Sequence, residues 1–236
     1  MQPLTIIPVH GVPEVRPDDV LAPLIADAAA AQDTPLLDHD CIVVTQKIVS
    51  KAEGRLVEID PDDRDARRVL VEGESVRVLR RRGDLIISET RHGFVCANAG
   101  VDLSNVDAGW AALLPVDSDR SARRIRDALR ATRGVDVGVV VSDTFGRPWR
   151  QGLTDVAIGV AGLAAIVDLR GTEDALGREL QVTEVAVADE VAGAAELVMG
   201  KSSGVPVAIV RGLDPSWFRE SAVTELVRPP GEDLFR

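Results

Sequence analysis

A mixed α/β domain is the fold this sequence predicts, and three observations carry the prediction. Short continuous runs of Val, Ile and Ala recur along the chain, as strands buried on both faces require. Amphipathic stretches with i, i+3, i+4 spacing lie between them. The 236 residues are 45% hydrophobic but only 3% aromatic, with no Tyr, so the core must be built from Val, Ala, Leu and Ile. That length suits one large domain or two intimately joined lobes. Residues 4–213 are assigned to this body, and residues 214–236, with Pro229-Pro230, to a linker or C-terminal extension.

Residues 4–9 predict a first strand, and residues 10–17, punctuated by Gly11, Pro13 and Pro17, a loop. Asp18 and Asp19 are expected to cap a helix reaching about Gln32, with Leu21, Leu24, Ile25 and Ala28 on its apolar face. Cys41-Ile42-Val43-Val44 is a second strand. Lys47 and Lys51 follow it four residues apart, on one face of a helix that either holds phosphate or is simply solvated. Residues 62–82 read as an arginine-rich helical region broken by Gly73. Residues 84–88 and 93–97 form a hairpin. Residues 98–107 are a polar loop around Asp102, a candidate metal carboxylate, although turn chemistry alone would also explain its Asp, Ser and Asn. Residues 113–116 return to the core, and Ser118-Asp119 are expected to cap a helix carrying Ala122, Ile125, Ala128 and Leu129.

The apolar run Val137-Gly138-Val139-Val140-Val141 then leads into Ser142-Asp143-Thr144-Phe145-Gly146-Arg147-Pro148-Trp149-Arg150-Gln151-Gly152-Leu153-Thr154-Asp155, expected to be a ligand-binding loop beyond a strand's carboxyl end. Asp143 and Thr144 offer only oxygen, which suits Mg²⁺ or Mn²⁺. Arg147 and Arg150 are planar forks for phosphate or carboxylate. The plain alternative is a strand end with a solvated Asp and an arginine pair. Residues 157–162 and 164–169 predict two more strands, with Gly159 and Gly162 marking close backbone approach or bends. A turn at residues 173–178, a helix over 183–199 and a final strand over 205–210 complete the body.

The net charge of −11 argues against nucleic acid and anionic membrane as partners, so an anionic substrate needs a local positive pocket. Of 27 basic residues only Lys47, Lys51 and Lys201 are lysines, a bias that makes them candidate phosphate ligands. Cys41 and Cys96 lie far apart in apolar runs and read as inert buried thiols. Three histidines without HxxxH or HExxH spacing make zinc an unsuitable metal. No basic leader or membrane-length apolar run is present, so a cytoplasmic location is expected. Gly200-Lys201-Ser202 imitates the end of a P-loop, but Ala195 stands where the first glycine belongs and a helix, not a strand, precedes it. Its small residues could still offer backbone N–H groups to phosphate.

Five segments together resemble the coenzyme F420-0:L-glutamate (γ-glutamyl) ligase family. They are Pro8-Val9-His10-Gly11-Val12-Pro13-Glu14, Val44-Thr45-Gln46-Lys47-Ile48-Val49-Ser50-Lys51-Ala52-Glu53-Gly54-Arg55, Ala99-Gly100-Val101-Asp102-Leu103-Ser104-Asn105-Val106, Ser142 through Arg150, and Thr183-Glu184-Val185-Ala186-Val187-Ala188-Asp189-Glu190. The likeness runs in order over nearly the whole chain and is nearest to the N-terminal ligase half of the actinobacterial two-domain enzyme, where a flavin-binding reductase half follows. The chain is then expected to be a stand-alone ligase or an excised half.

The resemblance implies an α+β fold with mixed sheets, an intertwined homodimer, and GTP with Mg²⁺ or Mn²⁺, K⁺ being a further candidate. By position, Asp102 and Asp143 would bind one metal and Thr144 a second. Val12, Pro13, Glu14, Val15, Gln46, Lys51 and Asn105 would touch GTP. So would the segment Met199, Gly200, Lys201, Ser202, Ser203, Gly204, Val205, Pro206. Archaeal members resemble this chain but carry Gln, a second-metal ligand, where Lys201 stands. An ammonium cannot ligate a cation, so either the second metal has other ligands or Lys201 meets phosphate.

The implied reaction adds L-glutamate by a γ-linked amide to the deazaflavin F420-0 or its dehydro form, through an acyl phosphate. Asp143, Arg147 and Arg150 are the expected catalytic residues, the arginines gripping a substrate carboxylate or the moving phosphoryl group. Two rivals are another metal-dependent nucleotide hydrolase or transferase, and a non-catalytic half acting with a flavin-dependent reductase partner.

Overall fold

The computed structural model describes residues 3–234. In chain order the elements are β1 (Thr5–Pro8), α1 (Leu21–Ala31), β2 (Cys41–Thr45), α2 (Gln46–Ala52), β3 (Leu56–Glu58), α3 (Arg64–Gly73), β4 (Ser75–Arg82), β5 (Leu85–Thr90), β6 (Val95–Ala97), β7 (Trp110–Ala112), α4 (Ser118–Arg133), β8 (Gly138–Arg147), β9 (Arg150–Ala161), β10 (Val167–Asp168), β11 (Glu184–Val185), α5 (Val187–Met199) and β12 (Val207–Arg211). This is an α+β fold with mixed sheets.

The main sheet has the order β1-β12-β2-β8-β9, and only β2 and β8 run parallel. Strand side chains alternate between faces, and both faces are covered. Ile42, Val44, Val139 and Val141 join the core beneath α1 and α4, whereas Cys41, Val43 and Val140 join the core beneath α5. Burial on both sides is why these strands read as unbroken apolar runs. A smaller core of Ile59, Val71, Ile86, Ala111 and Leu113 sits under α3, the β3–β7 ribbon and the antiparallel sheet β4-β5-β6. Both cysteines are buried and free, as expected, and burial pushes the Cys96 thiol up to about 12.

Several boundaries differ from the sequence reading. Asp18 and Asp19 do not cap α1: Asp18 takes a left-handed φ of 70°, and the Asp19 carboxylate accepts from the Arg16 N–H at 2.7 Å. The α4 cap is Asp117, one residue earlier than expected, whose carboxylate accepts from the Arg120 N–H at 2.8 Å. The arginine-rich region is helical only to Gly73; β4 follows as an exposed strand whose arginines pair outward, Arg77 with Glu89 at 3.1 Å and Arg81 with Glu72 at 2.8 Å. Residues 183–186 are not helical, since β11 lies there and α5 starts at Val187. Of residues 164–169 only the two of β10 form strand.

The largest correction concerns residues 142–155. They are not a loop but the outer half of a β8–β9 hairpin that turns at Pro148-Trp149. Pairing persists through Phe145↔Thr154 and Gly146↔Leu153, so backbone groups that a loop would leave to water are satisfied along the ladder. Gly159 behaves as anticipated: a Cβ there would lie 2.5 Å from the Ser118 backbone. Residues 214–227 run back over the body, where the Trp217 carbonyl accepts from the Ala164 N–H at 2.7 Å and Val223 is buried.

Candidate functional site

Strand register explains why distant segments meet. Pro8 ends β1 opposite Ala208, Val207 opens β12 opposite Val44, and Thr45 ends β2 opposite Ser142. One edge of the sheet therefore gathers the loop after β1, the start of α2, the segment before β12 and the point where β8 leaves the core. A bulge sharpens this edge. Ser142 pairs with Ala157 while Val141 pairs with Gly159, so Ile158 is the extra residue. The Ala157 N–H at the bulge donates instead to Asp189 of α5, at 2.9 Å. Such bulges re-aim side chains, and here Ser142, Asp143 and Thr144 follow directly.

The edge forms a cleft of about 500 Å³. Its walls include Val12, Pro13, Glu14 and Val15 from the first loop and Gln46, Lys47 and Lys51 from α2. Asn105, Gly200, Lys201, Ser202, Gly204, Val205 and Pro206 also line it, and Ser142, Asp143, Thr144 and Asp155 form its floor. All three lysines of the chain thus face one cavity. Met199 and Ser203 are not in its walls. Met199 is buried beneath the sheet, and the Ser203 hydroxyl bonds back to the Met199 carbonyl. Arg147 and Arg150 lie outside the cleft, exposed at the hairpin's far end.

Each lysine is held by a carboxylate. Lys47 Nζ lies 2.8 Å from Asp102 Oδ2, Lys51 pairs with Glu14, and Lys201 Nζ lies 2.9 Å from Asp155 Oδ1 and 3.1 Å from Glu196 Oε1. Asp102 also accepts from the Ser104 N–H at 2.7 Å. Its partial burial opposes ionisation, but the Lys47 and Ser104 hydrogen bonds outweigh that and hold its carboxyl below the ordinary value. Asp143 moves the other way, to about 7. Burial is the main cause, the Thr144 N–H bond at 2.8 Å counters it, and the nearby Asp102 and Asp155 charges add to the rise. Gln46 is buried, with one end of its amide at 2.8 Å from the Ser50 hydroxyl and Nε2 without a protein partner.

A metal at Asp102 and Asp143 fits the donor chemistry of this structure provided that Asp102, which does not itself line the cleft, releases Lys47. Both are hard oxygen donors, and the raised Asp143 pKa, due first to burial and then to the charges of Asp102 and Asp155, marks a carboxylate that the protein leaves under-compensated. A second metal at Thr144 does not fit, because the Lys201 ammonium is already bonded to Thr144 Oγ1.

Comparison with known proteins identifies the family. The family model described as F420-0:Gamma-glutamyl ligase matches residues 11–212. The chain belongs to this family. The F420-0:gamma-glutamyl ligase assignment is reinforced by a relative from Methanothermobacter thermautotrophicus, named coenzyme F420:L-glutamate ligase, 47% identical over 249 aligned positions covering 99% of each chain. Relatives of the same name from Methanopyrus kandleri and Methanocaldococcus jannaschii are 44% and 40% identical, over 99% and 86% of this chain and 98% and 86% of theirs. Sequence reasoning missed Asp155 and Glu196 as members of this ligase-family site. Asp155 closes the run from Ser142 but carries no motif of its own, and Glu196 is one of several acidic residues on the helix expected over 183–199, with nothing local to single it out. Their signal is positional: one is opposite Thr144 across the hairpin, the other one helical turn before Gly200. Among the described residues no helix is long and apolar enough to cross a membrane.

Proposed function

We propose that this chain joins L-glutamate through a γ-linked amide to coenzyme F420-0 or its dehydro form, consuming GTP by way of an acyl phosphate. A carboxylate cannot form an amide at neutral pH without activation. Its attack on the γ-phosphate releases GDP and leaves an acyl phosphate; the glutamate amine then displaces inorganic phosphate. The single observation that carries the reading is the convergence of every lysine on one cleft floored by Asp143 and Asp155.

The roles follow from charge and reach. Lys51 and Lys47 are point charges for a polyphosphate that can exchange them from Glu14 and Asp102. The unpartnered Gln46 Nε2 is a donor available to the nucleotide. Gly200, Ser202 and Gly204 let backbone approach phosphate closely. Asp102 and Asp143 would hold one divalent ion, which supplies charge neutralisation to the transferring phosphoryl group. Catalysis is then mainly positioning and electrostatics.

The test is incubation with GTP, Mn²⁺, L-glutamate and the deazaflavin, followed by mass spectrometry. The wild-type chain should yield product heavier by glutamyl units. Asp143→Asn should lower turnover roughly a thousandfold or more while the fold persists. Near-normal ligation by that variant would remove Asp143 from the metal site, and hydrolysis of GTP without glutamyl transfer would favour the hydrolase reading.

A further inference from the structure

The cluster around Lys201 goes beyond the cleft's general reading, on which it rests. Three oxygens surround the ammonium: Thr144 Oγ1, Asp155 Oδ1 at 2.9 Å and Glu196 Oε1 at 3.1 Å. A lysine has three N–H donors; two hydrogen-bond Thr144 and Asp155, and Glu196 adds an ion pair. Thr144 is consistent with that role, since its hydroxyl accepts from Lys201 and donates its own proton to Asp155 Oδ1 at 2.6 Å. The Asp155 side chain is 1% exposed, and its remaining oxygen accepts from the Ser142 hydroxyl at 3.0 Å. Its hydroxyl partners are neutral. A buried carboxylate in that setting requires a positive partner, and Lys201 is the cation that pairs with it among the described residues.

We infer that the Lys201 ammonium is a built-in replacement for a second divalent ion. It is a tethered monovalent charge filling the Thr144–Asp155–Glu196 oxygen cluster, so the site takes one metal per chain rather than two. With its donors committed to protein oxygen, Lys201 acts as a fixed charge beside the phosphates and not as a mobile phosphate ligand. Reach favours this: the segment carrying Lys201 is tied down by Asn105, whose Nδ2 approaches the Lys201 carbonyl at 3.4 Å, and by the Ser203 hydroxyl on Met199.

The experiment counts ions and does not depend on turnover. Mn²⁺ is titrated into the full chain loaded with a non-hydrolysable GTP analogue, and the free ion is followed by electron paramagnetic resonance. Wild type should bind one Mn²⁺ per chain. Lys201→Gln, which removes the ammonium and supplies a neutral oxygen, should bind two. Lys201→Gln combined with Asp155→Asn should return to one. Two ions on the wild-type chain would overturn the inference without touching the proposed reaction, and this arm needs no variant to fold. A folded Lys201→Gln chain that still binds one ion would overturn it as well. No Mn²⁺ on the wild type would instead sink the metal reading of Asp102 and Asp143, and this inference with it.

Discussion

The two ends of the β8–β9 hairpin are built from the same strands and the same ladder, yet they do opposite things. At the inner end, Ser142, Asp143, Thr144 and Asp155 lie in or at the floor of the cleft, and Asp155 is bonded to Ser142, Thr144 and Lys201. Gly193 of α5 lies beside this end, where a Cβ would make ordinary contact with Thr154 Oγ1 at 3.5 Å. At the outer end, Arg147, Trp149, Arg150 and Leu153 face solvent; Trp149 is 80% and Leu153 69% exposed. Arg147 donates to the Gln151 carbonyl of its own turn, at 3.3 Å. Pairing alone therefore makes a hairpin. What makes a site is burial, which forces each charge to find a partner and leaves Asp143 wanting one.

The strongest way to break this contrast is at Asp155. Its replacement by Ala removes the carboxylate that fixes Lys201 and Thr144 without removing a proposed metal ligand. Turnover should fall about 100-fold, the scale for a residue that orients its neighbours. Stability should fall by about 1–3 kcal/mol, because Ser142 and Thr144 lose a charged acceptor. Steady-state ligation assays and urea melts would check both. Asp155→Asn should recover part of the stability and little of the turnover, a split that a purely structural role would not give.

Next in size is a pH effect at Asp143. Its folded-state carboxyl sits near 7 against an ordinary 3.8. Between those values the folded chain binds a proton that the unfolded chain has released, so stability falls as pH rises from about 4 to about 7. Asp143→Asn has no such proton to lose. With divalent ions removed by chelation, the variant should match wild type near pH 4 and exceed it above pH 7. The gap should be on the order of 2–4 kcal/mol. Thermal melts of both proteins across that range give the answer; parallel pH profiles would mean that Asp143 is not the strained charge of the floor.

Much of this was legible in the chain. The apolar runs at Cys41–Thr45 and around Val140 are buried on both faces, and that burial is written directly into their composition. Lysine scarcity pointed at the cleft because a chain that does its surface work with arginine leaves few other uses for an ammonium. Residues 142–155 were misread because Ser142, two aspartates, two glycines and a proline are turn residues by propensity, whereas cross-strand pairing overrides propensity. The β4 strand was misread for a similar reason: Arg-Arg-Arg at 80–82 looks helical and solvated, and only its partner β5 makes it extended. The Asp155–Lys201 pair joins residues 46 positions apart, and no local pattern could reveal it.

The smallest expected effect belongs to the exposed tip, and it decides whether the contrast is complete within one chain. Arg147 and Arg150 were expected to grip substrate, but neither lines the cleft of a single chain. Double replacement, Arg147→Ala with Arg150→Ala, should change stability by about 0.5 kcal/mol or less, as for surface positions generally. Its loss in kcat/KM should be at least about tenfold smaller than that of Asp143→Asn. A loss as large as that of Asp143→Asn would mean that the tip reaches a reacting group it does not reach alone. Trp149 and Leu153 give the tip the apolar surface that a second copy of the chain could cover. Mixing the arginine-deficient chain with an Asp143→Asn chain separates the two cases. If each defect lies in its own cleft, the mixture stays as inactive as its parts. If one copy's tip completes another copy's cleft, mixed dimers regain activity, and the site belongs to the pair.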